Sequence, residues 1–380
     1  MMEDVGTSAN QLIQLDSNAK IPAVDGSLLT GLGASSGSSD PTISTNPSGG
    51  VGTKFINTTD GEIFICTDAT AGSNVWTNVG SGSGDVQPWS YPVSTYGYMM
   101  SGDYPGAGGY GSTANIERFS TVSDANSTAW ADLVYGRANP TGGQTSETYG
   151  YAAGGSSPST PGFAPIDKFP FASQTNATDV GDLTAGRGGT KGASSGTYVY
   201  TVGGHGGSYV NIMDKISVAT DGNGIDIGDL THAHANGYSN SSADNGYSSG
   251  GYSTGNQNIM NKYSFTTDGN ATDIGDLTAA REGRVSSSSL THGYCGNGSG
   301  STDRIDKFTF ASDNDATDVG NTTHADGAGR GGFASSLDYG YAASGTNNNF
   351  IHKWSHTTDG NSVDVADVVQ VRNNAAGTHG

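Results

Sequence analysis

The stretch IDKFTFASDNDATDVGNTT, residues 305–323, has close copies upstream: MNKYSFTTDGNATDIGDLT at 260–278, MDKISVATDGNGIDIGDLT at 213–231 and IDKFPFASQTNATDVGDLT at 166–184. Looser copies begin at Ile116 (IERFSTVSDANSTAWADLV) and Ile351 (IHKWSHTTDGNSVDVADVV). Six copies, spaced 45 to 50 residues apart, define a repeat architecture. Composition alone points the other way. Leu, Ile, Val and Phe supply only 59 of 380 residues and the net charge is -20, values typical of a disordered chain. Apolar residues held in register over six copies have a reason only in a packed structure, so the periodicity decides.

A second anchor precedes each copy: YGYMMSG at 96, YGYAAGG at 149, YVYTVGG at 198, NGYSSGG at 245, HGYCGNG at 292 and YGYAASG at 339. Its third residue is always Tyr. Short runs of aromatic and β-branched residues between Gly-rich and Asp-Gly punctuation read as antiparallel strands, with DGN at 221, 268 and 359 as tight turns. One unit then comprises a small-residue strand (GASSG, 192–196), the YxY strand, a variable loop, the IDKF strand, a turn and the TDVGDLT strand. Four strands at this period match one propeller blade. Ile305 and Phe308 fall on opposite faces of their strand, as a blade covered on both sides needs. NNAAGTHG, after Arg372, is one strand long, and the first unit begins at Tyr96 without a small-residue strand. The C-terminal strand is therefore expected to complete the first unit. The expected fold is all-β: a six-bladed β-propeller over 96–380.

The pattern of an Arg, a small-residue strand, an aromatic strand ending in Gly-Gly (Gly154-Gly155, Gly203-Gly204, Gly250-Gly251), a loop and a second aromatic strand resembles the Kelch family. It departs from that family in the last strand, where TDVGDLT stands in place of the expected Trp. The resemblance implies a Kelch-like propeller that binds rather than catalyses.

Charged residues follow the repeat as well. One basic column is Arg118, Lys168, Lys215, Lys262, Lys307 and Lys353; another is Arg137, Arg187, His234, Arg281 and Arg372, with Arg330 displaced by four. Periodic basic residues are read as structural partners of Asp179, Asp182, Asp226, Asp229, Asp273 and Asp276 and of backbone carbonyls, ahead of an anion-binding ring. The acidic remainder disfavours nucleic acid. DxxD pairs and DGN turns lack the ligand loop of an EF-hand and are read as turn chemistry. His232 and His234 could chelate on one strand face, but no third ligand is in view. Cys66 and Cys295 form neither a CxxC pair nor a disulfide framework. Galactose-oxidase-type enzymes share a Kelch-like propeller, yet neither cysteine is placed for a Tyr-Cys cross-link, and no catalytic triad spacing appears. No enzyme, metal or cofactor is expected. Asn176 and Asn270, in Asn-x-Ser/Thr triplets, suit turns without implying glycosylation. No run of 18 apolar residues supports membrane insertion, and the N-terminus has no secretory pattern.

Ahead of the repeats stands TSANQLIQLDSNAKIPAVDGSLLTGLG, 7–33, with Leu12, Ile13, Leu15, Ile21, Val24, Leu28, Leu29 and Leu32 and no repeat partner to bury them. This segment resembles an N-terminal module of bacteriophage fibre and other virion proteins that joins an appendage to the particle. Residues 34–50 read as a Ser/Gly/Pro linker, 51–82 as a small β unit with a hairpin at Asp60-Gly61 and a strand near Trp76, and 83–95 as a second linker. The resemblance implies a virion protein assembled in the host cytoplasm, a fibre attached to other virion proteins through 1–33 and homo-oligomeric, with three-fold association by family likeness. The propeller would bind a host-surface glycan or protein. A decoration protein of head, neck or tail that binds only virion proteins is the alternative, with an oxidase or glycan-cleaving enzyme third. The expected ligand face is formed by loops between the YxY and IDKF strands, with Tyr104, Tyr110, Phe163, His205, Tyr209, Tyr252 and Phe350 as recognition residues. Residues 91–380 should fold as a monomer when expressed alone, whereas deletion of 1–33 should abolish incorporation into particles; normal incorporation, assayed on purified particles, would contradict the assignment.

Overall fold

Each copy of the repeat becomes antiparallel strands that hydrogen-bond to their neighbours in the chain. The computed structural model describes residues 34–79, 95–104, 111–157, 160, 162–283, 285–298, 302–323, 331–345 and 348–380. Two units, 1–89 and 90–380, are distinguished, and all regular structure among the described residues is β. Leu12, Ile13, Leu15, Ile21, Val24, Leu28, Leu29 and Leu32 lie outside the described residues.

The larger unit holds six sheets. The first combines Tyr96–Tyr104, Gly111–Ser120 and Thr128–Asp132 with Ala376–His379, which pairs antiparallel with residues 97–100 from the far end of the chain. The second contains Tyr149–Ala153, Pro165–Pro170 and Thr178–Asp182. Its innermost position is a single bridge, Thr145 to Gly150, because the preceding ANPTGGQ carries Pro140, which has no N–H, and Gly143 at φ +81°. The third sheet is Lys191–Ser194, Tyr198–Val202, Ile212–Ser217 and Ile225–Asp229, and the fourth Tyr238–Ser241, Asn245–Ser249, Ile259–Ser264 and Thr272–Asp276. The fifth is Val285–Ser288, His292–Gly298, Thr302–Thr309 and Thr317–Asn321, and the sixth Gly332–Ser335, Tyr339–Gly345, Asn348–Ser355 and Val363–Asp367.

Aromatic columns pack one sheet on the next. Tyr98, Tyr151, Tyr200, Tyr247, Tyr294 and Tyr341 are all buried. Four of them stack on a ring of the following sheet at 4.8 to 4.9 Å: Tyr98 on Phe171, Tyr200 on Phe265, Tyr247 on Phe310 and Tyr294 on His356. Tyr341 donates instead to the Thr121 carbonyl of the first sheet. The two faces of the IDKF strand serve different neighbours, since Phe308 joins a cluster with Tyr247 while Ile305 joins one with Ala342 and Trp354.

The glycine inside YGY follows from the same packing. Gly97, Gly150, Gly246, Gly293 and Gly340 pair across the strands with Phe119, Phe169, Tyr263, Phe308 and Trp354, and a Cβ at any of them would overlap the partner ring. In the third sheet both members change together: Val199 faces Ile216, a smaller side chain, and both are buried. Volume is kept and the ring is given up.

Polar contacts link the sheets at their inner and outer strands. On the inside, the main-chain N–H of Thr145 donates to Ser194 Oγ, that of Ser194 to Ser241 Oγ, Ser241 to Ser288 Oγ, Ser288 to Ser335 Oγ and Ser335 to His379 Nδ1, over 2.7 to 3.3 Å. Thr145 Oγ1 then donates to the His379 carbonyl at 2.6 Å, so the hydrogen bonds return to their starting residue. On the outside, a turn side chain of each sheet accepts from the main-chain N–H that ends the outer strand of the sheet before it. Asn176, Asn223, Asn270, Asp315, Asn361 and Asn126 receive Asp132, Asp182, Asp229, Asp276, Asn321 and Asp367 at 2.9 to 3.1 Å. The turn Asp and Asn residues thus do more than shape a turn.

The basic columns are paired, but with other acids than the sequence suggested. Asp179, Asp182, Asp226, Asp229, Asp273 and Asp276 lie exposed on the outer strands. The Arg column is buried against the acid after the Ile or Met of each anchor: Arg137 with Asp167 at 2.5 Å, Arg187 with Asp214 and Arg281 with Asp306 at 3.1 Å, and Arg372 with Glu117 of the first sheet. These acids also accept main-chain N–H bonds from Val134, Thr184, Thr278 and Val369. The Lys column reaches the turn Asp of the following sheet, in the pairs Lys168–Asp221, Lys215–Asp268, Lys262–Asp313, Lys307–Asp359 and Lys353–Asp124. Gln174 stands where the second sheet would carry that Asp, and Arg118 lies over Trp130 at 3.8 Å and Tyr96 at 4.2 Å. Arg330 is outside the described residues.

In the smaller unit, Ala34–Gly37 runs parallel to Lys54–Asn57, which continues antiparallel into Ile63–Asp68 and Val75–Asn78. The stretch 34–50, expected as a linker, therefore contributes a strand. Its polar residues are tied down by two buried side chains: Asn57 Nδ2 donates to Asp40, and Asn74 Nδ2 to Asn46 and the Ile43 carbonyl. The core is Phe55, Phe64, Cys66 and Trp76.

The Gly/ring exchange predicts the outcome of a double-mutant cycle. Gly246→Val should destabilise by about 3 kcal/mol through overpacking, Tyr263→Ile by about 2 kcal/mol through a cavity, and the double variant by about 2 kcal/mol less than their sum. Urea denaturation measures all three.

Candidate ligand-binding site

In the first four sheets, the connections between the second and third strands start from equivalent backbone positions. Asp103, Ser156, His205 and Tyr252 form bridges to Asn373, Ala138, Gly188 and Ala235, residues that follow the Arg column. One residue further along, Asn374, Asn139, Gly189 and Asn236 adopt left-handed φ of 55° to 66°, a conformation that Asn and Gly tolerate best. Main-chain bonds join these residues from sheet to sheet: Asn139 to Asn374, Gly189 to Asn139, Asn236 to Gly189 and Gly283 to Asn236, each 2.8 or 2.9 Å. The backbone platform repeats; the side chains it presents, Asp, Ser, His and Tyr, do not.

An open cleft of about 190 Å³ lies on this platform, lined by Asn139, Ser156, Gly188, Gly189, His205, Tyr209, Ala235 and Asn236. The loops of the third and fourth sheets are built alike, the third lining the cleft and the fourth beside it: His205 bridges Tyr209 and Tyr252 bridges Asn256, with Val210 donating to the Gly204 carbonyl and Gln257 to that of Gly251. The His205 and Tyr209 rings are 4.7 Å apart, and Tyr209 and Tyr252 6.0 Å apart at 58°. Asn139 donates to Ser156 Oγ at 3.3 Å and Asn236 to Glu282 Oε2 at 3.1 Å. Partial burial, with Tyr252 and Glu282 nearby, raises the Tyr209 hydroxyl above its ordinary pKa.

Of the residues expected from the sequence, His205, Tyr209 and Tyr252 are brought together. Phe163 packs on Tyr135, ring centres 6.1 Å apart, at the neighbouring Arg137. Phe350 sits beside His352 in the sixth sheet. Tyr110 and the side chain of Tyr104 lie outside the described residues. Sequence reasoning missed Asn139 and Asn236, although an available signal was the Asn or Gly found two residues after Arg137, Arg187, His234, Arg281 and Arg372. Nothing in the sequence pattern singles out Glu282.

His232 and His234 do not converge on a ligand. Their rings stack at 4.5 Å, and His234 has Ser248 Oγ 3.0 Å from Nε2 and the His232 carbonyl 3.3 Å from Nδ1. Among the described residues, no group of three His, Cys, Asp or Glu side chains is placed to hold a metal ion. Cys295 is buried beside Asn240, and burial drives its thiol pKa up. His234 instead fills the Arg column of the fourth sheet, where the acid is also replaced: Asn261 accepts the Thr231 N–H that Asp214 and Asp306 accept from Thr184 and Thr278. Cation and anion are lost together. The chain matches no protein-family model, and no curated protein matches it.

Burial holds His234 and His379 down to about 3 and His356 to about 4. An unfolded His titrates near 6.5, so the unfolded chain takes up protons first as pH falls, and stability present above about 6.5 drains away toward the folded values. Between pH 7 and 5, His234 and His379 should each cost up to about 2 kcal/mol. Thermal melts across this range should show the loss, and His379→Ser, which extends the serine column, should reduce it.

Proposed function

We propose that the six sheets are the blades of one closed Kelch-like propeller, and that the protein is a bacteriophage virion protein of the fibre type whose propeller binds the host surface. Three features support closure: the return of the inner hydrogen bonds to Thr145, the pairing of Ala376–His379 with the Tyr96 strand, and the Arg372–Glu117 contact. Binding is carried by one observation, the cleft lined by His205 and Tyr209, with Tyr252 of the next sheet against Tyr209, on a repeated platform with non-repeated side chains. Rigid scaffolds that vary side chains at fixed loop positions are the usual basis of recognition. The virion setting rests on the likeness of residues 7–33 to fibre attachment modules, with other virion proteins as partners through that segment and a homo-oligomer as its consequence.

Replacing Tyr209 and Tyr252 by Ala should leave the thermal melt of the propeller intact and lower adsorption to host cells by about tenfold or more, as loss of two aromatic anchors does elsewhere. Undiminished adsorption by a folded variant would favour a decoration protein that binds only virion components.

A further inference from the structure

The chemistry of the cleft narrows the ligand class. We infer that it is a subsite for a single neutral pyranose unit of a host-surface polysaccharide, an inference that rests on the host-binding reading above. Its volume of about 190 Å³ is below the roughly 300 Å³ at which drug-sized sites begin. One sugar ring with its hydroxyls fits that space. The walls supply what such a ring offers to bind. Tyr209 and His205 line the cleft with their rings 4.7 Å apart at 60°, and Tyr252, 37% exposed, stands beside it with its ring 6.0 Å from that of Tyr209. Such rings present flat apolar faces to the C–H side of a sugar. Asn139, Ser156 and Asn236 add amides and a hydroxyl to the lining, groups that both donate and accept, as a polyol requires.

Charge disfavours the acidic sugars. Among the described residues, no Lys or Arg side chain lines the cleft. The guanidiniums beneath it, Arg137 and Arg187, are neutralised by Asp167 and Asp214. Glu282 lies against Asn236, and the chain carries a net charge of -20, so a carboxylated or phosphorylated saccharide meets repulsion that a neutral sugar does not. Gly189 takes the platform's left-handed φ of +66°, and a Cβ there would press on the Asn236 side-chain amide at 2.5 Å.

The test uses the full chain. Methyl glycosides of glucose, galactose, mannose and N-acetylglucosamine are titrated beside sialic and glucuronic acids, read by saturation-transfer NMR and calorimetry. At least one neutral glycoside should bind with Kd on the order of 1 mM, the acids about tenfold more weakly, and Tyr209→Ala or Tyr252→Ala should weaken the neutral ligand by about tenfold. Tyr209→Phe should retain binding, since the ring face is what is used. Periodate oxidation of host-cell sugars should abolish adsorption. If no neutral glycoside binds, and adsorption survives periodate but is lost to protease and to Tyr252→Ala, the sugar assignment is overturned while host binding stands. If adsorption does not depend on the cleft at all, both readings fall together.

Discussion

A main-chain N–H donating to a serine hydroxyl of the next sheet is the contact on which the rest of the larger unit depends. It recurs through Ser194, Ser241, Ser288 and Ser335 and is completed by Thr145 and His379. Only small side chains let six inner strands approach one another, and small apolar ones would leave the inward-facing main-chain donors unsatisfied. Serine meets both demands. Each such bond contributes about 1 kcal/mol net, and leaving a buried donor unmet costs more than that. A chain so poor in Leu, Ile, Val and Phe can hold its sheets together because much of the contact between them is polar and satisfied.

The ion pairs add specificity to that frame. An Arg buried against an Asp and against carbonyls is a weak source of stability, because desolvation offsets most of the attraction. Its value lies in the cost of a mismatch: a sheet shifted against its neighbour would bury one charge alone. In the fourth sheet His234 and Asn261 replace both charges, which keeps the Thr231 contact and leaves no unpaired ion. That neutral position lies just below the cleft, where Gly251 and Gly237 pack on the His234 ring. The outer Lys–Asp pairs are partly exposed and matter less; there the Asn side chains that take the next main-chain N–H, six in six sheets with Asp315 standing in once, give the more regular link.

Repetition also separates scaffold from recognition within one chain. Tyr98 and its five equivalents, the Arg column and the turn Asn residues are alike because each performs a similar packing task from sheet to sheet. Asp103, Ser156, His205 and Tyr252 occupy one backbone position on successive sheets and share no chemistry. A position that packing does not constrain is free to serve a ligand, and the proposed sugar subsite falls among such positions.

Much of this was legible in the sequence. The strand order, the pairing of the last strand with the first unit and the Tyr column follow from period and spacing, since each depends on residues close in the repeat. Even the YVY with Ile216 against the YGY with Phe or Tyr can be read as a conserved volume. The partners of the charges could not, because Lys168 meets Asp221 and Arg137 meets Asp167 across sheets whose offset no local pattern reports. The strand at Ala34–Gly37 was hidden for a similar reason: a Ser/Gly-rich segment has no propensity of its own and becomes a strand only where the edge of Lys54–Asn57 offers it hydrogen bonds. The loop aromatics could be named from composition, but which of them meet was decided by tertiary structure. His205, Tyr209 and Tyr252 come together because the third and fourth sheets turn their loops toward each other, while Phe163 is taken up by Tyr135 and Phe350 by His352.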